Sequence, residues 1–101
     1  MAFNYELVIL SKGTHQFMEV SATADSVADA FQTAIRQHPG LLDSIVTIYG
    51  KKPKSGDLQL MGTYDGSTTV LVDGQQIRHV LKLANGKSYV LTDEGFRAFF
   101  Y

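Results

Sequence analysis

Residues 18–49, MEVSATADSVADAFQTAIRQHPGLLDSIVTIY, change their hydrophobic period twice. Val27, Ala30, Phe31, Ala34 and Ile35 fall at i, i+3, i+4, i+7 and i+8, the spacing of one helical face. Strand-like segments flank that block on both sides, Met18 to Ala22 before it and Ser44 to Tyr49 after it. Thr23 or Asp25 is placed to cap the helix by accepting a hydrogen bond from a first-turn amide. Asp25 and Asp29 lie near the positive end of its dipole. Pro39-Gly40 ends it, because proline lacks an N–H and disfavours helical geometry in the residue before it. The polar face then carries Asp25, Asp29, Gln32, Thr33 and Arg36. This is the one strong helix signal in a chain otherwise rich in strands and glycine turns, so it organises the fold.

Working outward, Phe3 to Leu10 reads as a half-buried strand with Phe3, Tyr5, Leu7 and Ile9 on one face. Ser11-Lys12-Gly13-Thr14 has hairpin chemistry, with Gly13 suited to positive φ. The returning strand, His15 to Ala22, leaves its inward face open, because Phe17 and Met18 are adjacent and point oppositely. Gly50 to Asp57 (GKKPKSGD) reads as a long, polar, mobile loop. Beyond it, Asp65-Gly66, Asp73-Gly74 and Asn85-Gly86 suit type I′ turns between strands at Leu58–Tyr64, Thr69–Val72, Ile77–Leu83 and Lys87–Thr92. Connections this short imply antiparallel neighbours and a meander. Thr92 or Asp93 is placed to cap a last helical turn with Phe96, Phe99 and Phe100 on one face. The expected class is α+β: a twisted antiparallel sheet, ββαβ and then a meander. One main helix lies across a face, and a short helical turn closes the C-terminus.

Composition limits the functions on offer. A chain of 101 residues is expected to form one domain with a single core. It has no cysteine, which excludes a disulfide framework and a thiolate zinc site. MAFNYELVIL has no basic stretch ahead of its apolar residues, and no apolar run approaches the ~20 residues of a membrane helix. A soluble, cytoplasmic protein without membrane contact is the expectation. The formal net charge of −1 conceals an asymmetry, with two basic against five acidic residues in 1–50 and seven against five in 51–101. Neither half has the footprint of a dedicated nucleic-acid binder.

The residues offer little chemistry. His15, His38 and His79 show no HxH or HExxH spacing, and no GxSxG elbow occurs. His79 reads as a strand residue sharing a face with Ile77 and Leu81. No catalytic set, metal site or cofactor is called for. The GKKPKSGD loop is no P-loop, since Pro53 removes an amide and a strand pattern follows. Two surfaces other than the polar helix face remain. Lys51, Lys52 and Lys54, with Arg78, Lys82 and Lys87 and a stacking tyrosine (Tyr49, Tyr64 or Tyr89), suit single-stranded nucleic acid. Phe96, Phe99, Phe100 and Tyr101 crowd the last six residues, suiting either a docked terminus or an apolar patch for a partner or a homodimer.

Residues 18–50, MEVSATADSVADAFQTAIRQHPGLLDSIVTIYG, resemble the layout of many small phage and mobile-element accessory proteins, among them some anti-CRISPR proteins. The resemblance covers the first half of the chain and transfers no functional residue. It implies a non-enzymatic module that binds a protein partner, in its sharpest form an inhibitor occluding a surface of a large intracellular complex. The expected contacts are Asp25, Asp29, Gln32, Arg36, Lys51, Lys52, Lys54, Phe99 and Tyr101. The alternative is a nucleic-acid-binding accessory protein using the lysine-rich second half.

Overall fold

The computed structural model describes residues 2–52, 54–67, 70–72, 74–77, 79–92 and 95–98. Its elements are β1 (Phe3–Ser11), β2 (Phe17–Ala24), α1 (Val27–Gln37), a 3-10 segment (Pro39–Asp43), β3 (Ile45–Lys51), β4 (Leu58–Asp65), β5 (Val70–Val72), β6 (Gln75–Ile77), β7 (Val80–Leu83), β8 (Ser88–Thr92) and β9 (Gly95–Ala98). Seven strands form one antiparallel sheet in the order β2-β1-β3-β4-β7-β8-β9, and β5–β6 pair as a separate hairpin. The class is α+β, as the patterning implies. The radius of gyration, 13.2 Å, equals that of a compact chain of this length.

α1 buries Ala28, Ala30, Phe31 and Ala34. Beneath them lie Leu7 and Ile9 of β1, Val20 and Ala22 of β2, Val46 and Ile48 of β3, Tyr64 of β4 and Leu81 of β7. The helix touches β2 at one edge of the sheet and β9 at the other. The sheet therefore curls around it. Phe31 sits at the centre, its ring centroid 4.9 Å from that of Tyr64 and 6.1 Å from that of Phe96. Register resolves the Phe17/Met18 ambiguity. Met18 opposes Ile9 and packs against the core, while Phe17 opposes Leu10 on the outer face and is 62% exposed.

Several local expectations change. The helix cap is Ser26, whose Oγ accepts from the Asp29 amide at 3.2 Å, and neither Thr23 nor Asp25 caps it. Ser26 wins because it is the last extended residue, at φ −151°, three positions before that amide. Pro39-Gly40 does end α1, and Pro39 also opens the 3-10 segment, where a missing N–H costs nothing. The C-terminal helical turn is absent from its expected start: Gly95–Ala98 is a strand paired with β8, placing Phe96 opposite Leu91. Phe99, Phe100 and Tyr101 lie outside the described residues.

The turns differ as well. Asp65-Gly66 is no hairpin turn, because Gly66 N–H donates to Ser44 O at 3.0 Å and β4 pairs with β7. The meander is thus interrupted by the β5–β6 hairpin. Asn85-Gly86 belongs to a three-residue loop closed by Leu83 and Lys87, in which only Gly86 has positive φ. At Asp73-Gly74, Gly74 has φ 78° and Asp73 lies outside the described residues.

Two loops turn out to share one geometry. In the first, Ser11 N–H donates to Gln16 O and His15 N–H to Ser11 O. In the second, Lys52 N–H donates to Asp57 O and Gly56 N–H to Lys52 O. The GKKPKSGD stretch is therefore a closed hairpin loop and not a long excursion. Its fourth loop residue, Gly56, has φ 73°, and the matching residue of the first loop is His15, at φ 56°. Positive φ falls on His15 and not on Gly13, because this loop type requires it at the position before the returning strand.

Candidate protein-binding surface

Strand alternation sends one residue in two to the helix side and the other to the outer face. On the outer face of β2-β1-β3-β4, one cross-strand row runs Glu19–Val8–Tyr49–Leu60 and the next runs Phe17–Leu10–Thr47–Thr63. Beyond Leu60, Leu58 opposes Lys51. Val8 is buried, Leu10 and Tyr49 are half-buried, and Leu58 and Leu60 are 49% and 50% exposed. Four of the five large apolar side chains that face solvent among the described residues (Phe17, Ile45, Leu58 and Leu60) belong to this face. α1 packs on the opposite side of the sheet, against β2, β1 and β9. Exposed apolar side chains on adjacent strands mark a contact surface, whereas isolated ones are ordinary.

The expected site residues distribute over different places. Asp25, Asp29, Gln32 and Arg36 come together, lining with Thr23 and Thr33 a shallow depression of about 360 Å³ on the exposed side of α1. Gln32 is half-buried and lies against Gly95 of β9. Lys51 and Lys52 line a second depression of about 510 Å³ with Asn4, Tyr5, Glu6 and Gln59. Lys54 is exposed on the β3–β4 loop and lines neither depression. Phe99 and Tyr101 lie outside the described residues, as does Arg78. Lys82 projects from β7 opposite Thr63, and Lys87 sits in the β7–β8 turn, so the described basic residues form no single patch with Lys51 and Lys52.

Sequence reading missed two features. The outer-face patch was visible as the second apolar set of β1 and β4 (Val8, Leu10, Leu58, Leu60), but which face the helix covers is a tertiary matter. The other is His79, which breaks the expected Ile77–Leu83 strand. It sits between β6 and β7 at φ 62° and stacks nearly parallel to Tyr64, at 10°. Tyr64 Oη donates to Leu42 O at 2.6 Å, and His79 Nδ1 lies 3.1 Å from both atoms. Because the tyrosine proton is used on the carbonyl, the consistent assignment gives His79 a proton on Nδ1, donated to this oxygen pair. The cluster pins the 3-10 segment to the sheet. No group of three His, Asp or Glu side chains suited to a metal occurs among the described residues, and no described helix is long and apolar enough to cross a membrane. No family model matches the chain, and no curated protein or solved structure is similar to it.

Proposed function

We propose that this protein is a non-enzymatic binding module that acts by covering a surface of a protein partner. The observation that carries this reading is the apolar outer face of β2-β1-β3-β4, with Phe17 exposed on β2, Leu58 and Leu60 about half exposed on β4, and Leu10 and Tyr49 half-buried on the two strands between them. The rim is charged, with Glu19 on β2 and Lys51 on β3, the arrangement of an apolar centre and polar margin that protein interfaces use. The polar cluster best placed for chemistry, Tyr64–His79, is engaged in holding the Leu42 carbonyl, which favours binding over catalysis. The resemblance of residues 18–50 to phage and mobile-element accessory proteins points to the sharpest version, an inhibitor occluding a large intracellular complex.

The test is affinity capture from native lysate with and without nuclease treatment, comparing the wild-type chain with Phe17→Ser/Leu60→Ser. A stoichiometric protein partner that survives nuclease and is lost in the double variant, with thermal unfolding unchanged, is the expected result. Equal retention by both chains overturns the use of this face. Recovery of nucleic acid alone, falling steeply with salt, establishes the alternative of a nucleic-acid accessory protein.

A further inference from the structure

β2 forms an open edge of the sheet, and its backbone shows which groups that edge presents. Ser11 N–H donates to Gln16 O across β1–β2, and Lys12 N–H donates to Ile45 O across β1–β3. Odd residues of β1 therefore bond toward β2 and even ones toward β3, since antiparallel hydrogen-bonded pairs alternate along a strand. By register, Met18, Val20, Ala22 and Ala24 bond to β1, and Phe17, Glu19, Ser21 and Thr23 turn their N–H and C=O groups outward. The pairing with β1 runs unbroken from Phe17 to Ala24. The strand has no proline, no lysine and no bulge, the devices that natural edge strands use against pairing.

We infer that a second copy of this chain pairs with the β2 edge, antiparallel about a two-fold axis at Val20. Three constraints select that occupant and register. Residues directly opposite in an antiparallel pair share a face, so the helix-side residues of one copy must oppose helix-side residues of the other. This limits the axis to a residue position and excludes a point midway between residues. An axis at Glu19 opposes two carboxylates and is disfavoured. An axis at Val20 opposes Glu19 to Ser21 of the second copy and Phe17 to Thr23 of the second copy, so all four outward-bonding residues on each side find partners. Each opposed pair exchanges two backbone hydrogen bonds, about eight in total.

On the outer face this register sets Glu19 opposite Ser21 of the second copy, with that copy's Glu6 one strand further on and bonded to the serine at 2.7 Å. On the helix side charge agrees with the geometry. α1 packs over β2 with Asp25 and Asp29 toward its N-terminal end and Arg36 in its last turn. A two-fold that runs the strands antiparallel also runs the helices antiparallel, bringing the acidic end of one toward the basic end of the other. The helix side of the joined sheet is therefore self-complementary. The apolar outer face stays open and becomes continuous across two copies, so this inference does not rest on the partner proposed above.

Sedimentation equilibrium of the purified chain over micromolar to hundred-micromolar concentrations tests it, with Ser21→Glu and Ser21→Lys as paired variants. Ser21 is exposed and its Oγ donates to Glu6 Oε2 of β1 at 2.7 Å, a bond both variants give up, so circular dichroism and thermal unfolding verify that each variant monomer is folded before its association is compared. The wild type is expected to dimerise. Ser21→Glu opposes Glu19 of the second copy twice and weakens dimerisation about tenfold. Ser21→Lys opposes the same carboxylate favourably and keeps or tightens the dimer. A chain that is monomeric throughout, or a dimer that both variants affect alike, overturns the inference.

Discussion

Gly66 is fixed by a neighbour far from it in sequence. A Cβ built there would lie 2.0 Å from Leu42 O and 2.9 Å from Asp43 Cα, both backbone atoms that cannot swing aside. Gly66→Ala is expected to cost about 3 kcal/mol or more, because the 3-10 segment must lift from β4. Urea denaturation measures this, and a loss below 1 kcal/mol would show that the segment docks loosely. His15 presents the opposite case. It holds φ 56° in a loop whose counterpart uses Gly56 at φ 73°. Relief of left-handed strain outweighs the added freedom of the unfolded chain, so His15→Gly is expected to stabilise the protein by about 0.5–1 kcal/mol. An unchanged or lowered urea midpoint refutes the loop equivalence. Of these two positions, Gly66 read in sequence as a hairpin residue because Asp-Gly is a turn dipeptide. Nothing local announces that Leu42 lies against it.

At the scale of the element, α1 was the most legible part of the chain. Its apolar stripe, its termination at Pro39 and its exposed Asp25, Asp29 and Arg36 follow from a periodicity that only one conformation satisfies. Its cap did not follow, since Thr23, Asp25 and Ser26 all have acceptor side chains. Ser26 is identified by the Asp29 N–H at 3.2 Å. Ser26→Ala is expected to cost about 1 kcal/mol, or about 4–8 °C in Tm, whereas Thr23→Ala shifts Tm by less than a quarter of that. Differential scanning calorimetry of the two variants decides between the caps. The expected Ile77–Leu83 strand failed for a related reason. Its alternation is strand-like, yet His79 leaves the strand at φ 62°, where its Nδ1 donates to the Tyr64 Oη and Leu42 O pair.

For the molecule as a whole, closure of the sheet around α1 depends on aromatic contacts between distant strands. Phe31, Tyr64 and Phe96 form a triangle with ring centroids 4.9, 6.1 and 6.2 Å apart, joining the helix to the sheet centre and to the β9 edge. Phe31→Ala alone is expected to cost about 3–5 kcal/mol. Phe96→Ala costs less because its ring is only partly buried. A double-mutant cycle should give a coupling of about 0.5–1.5 kcal/mol between them. Strict additivity would mean that β9 closes on the helix without this contact.

The sequence by itself determined the class, the helix, its buried face and most strands, because these depend on hydrophobic period and on where proline and glycine fall. Tertiary structure alone decided which neighbour each strand takes. It placed β7 beside β4, made β9 a strand, and left the second apolar face of β1–β4 exposed around Phe17, Leu58 and Leu60. The physical reason is that a strand's period names two faces but not which one the helix will cover. An edge, likewise, exists only once every other strand has found its place.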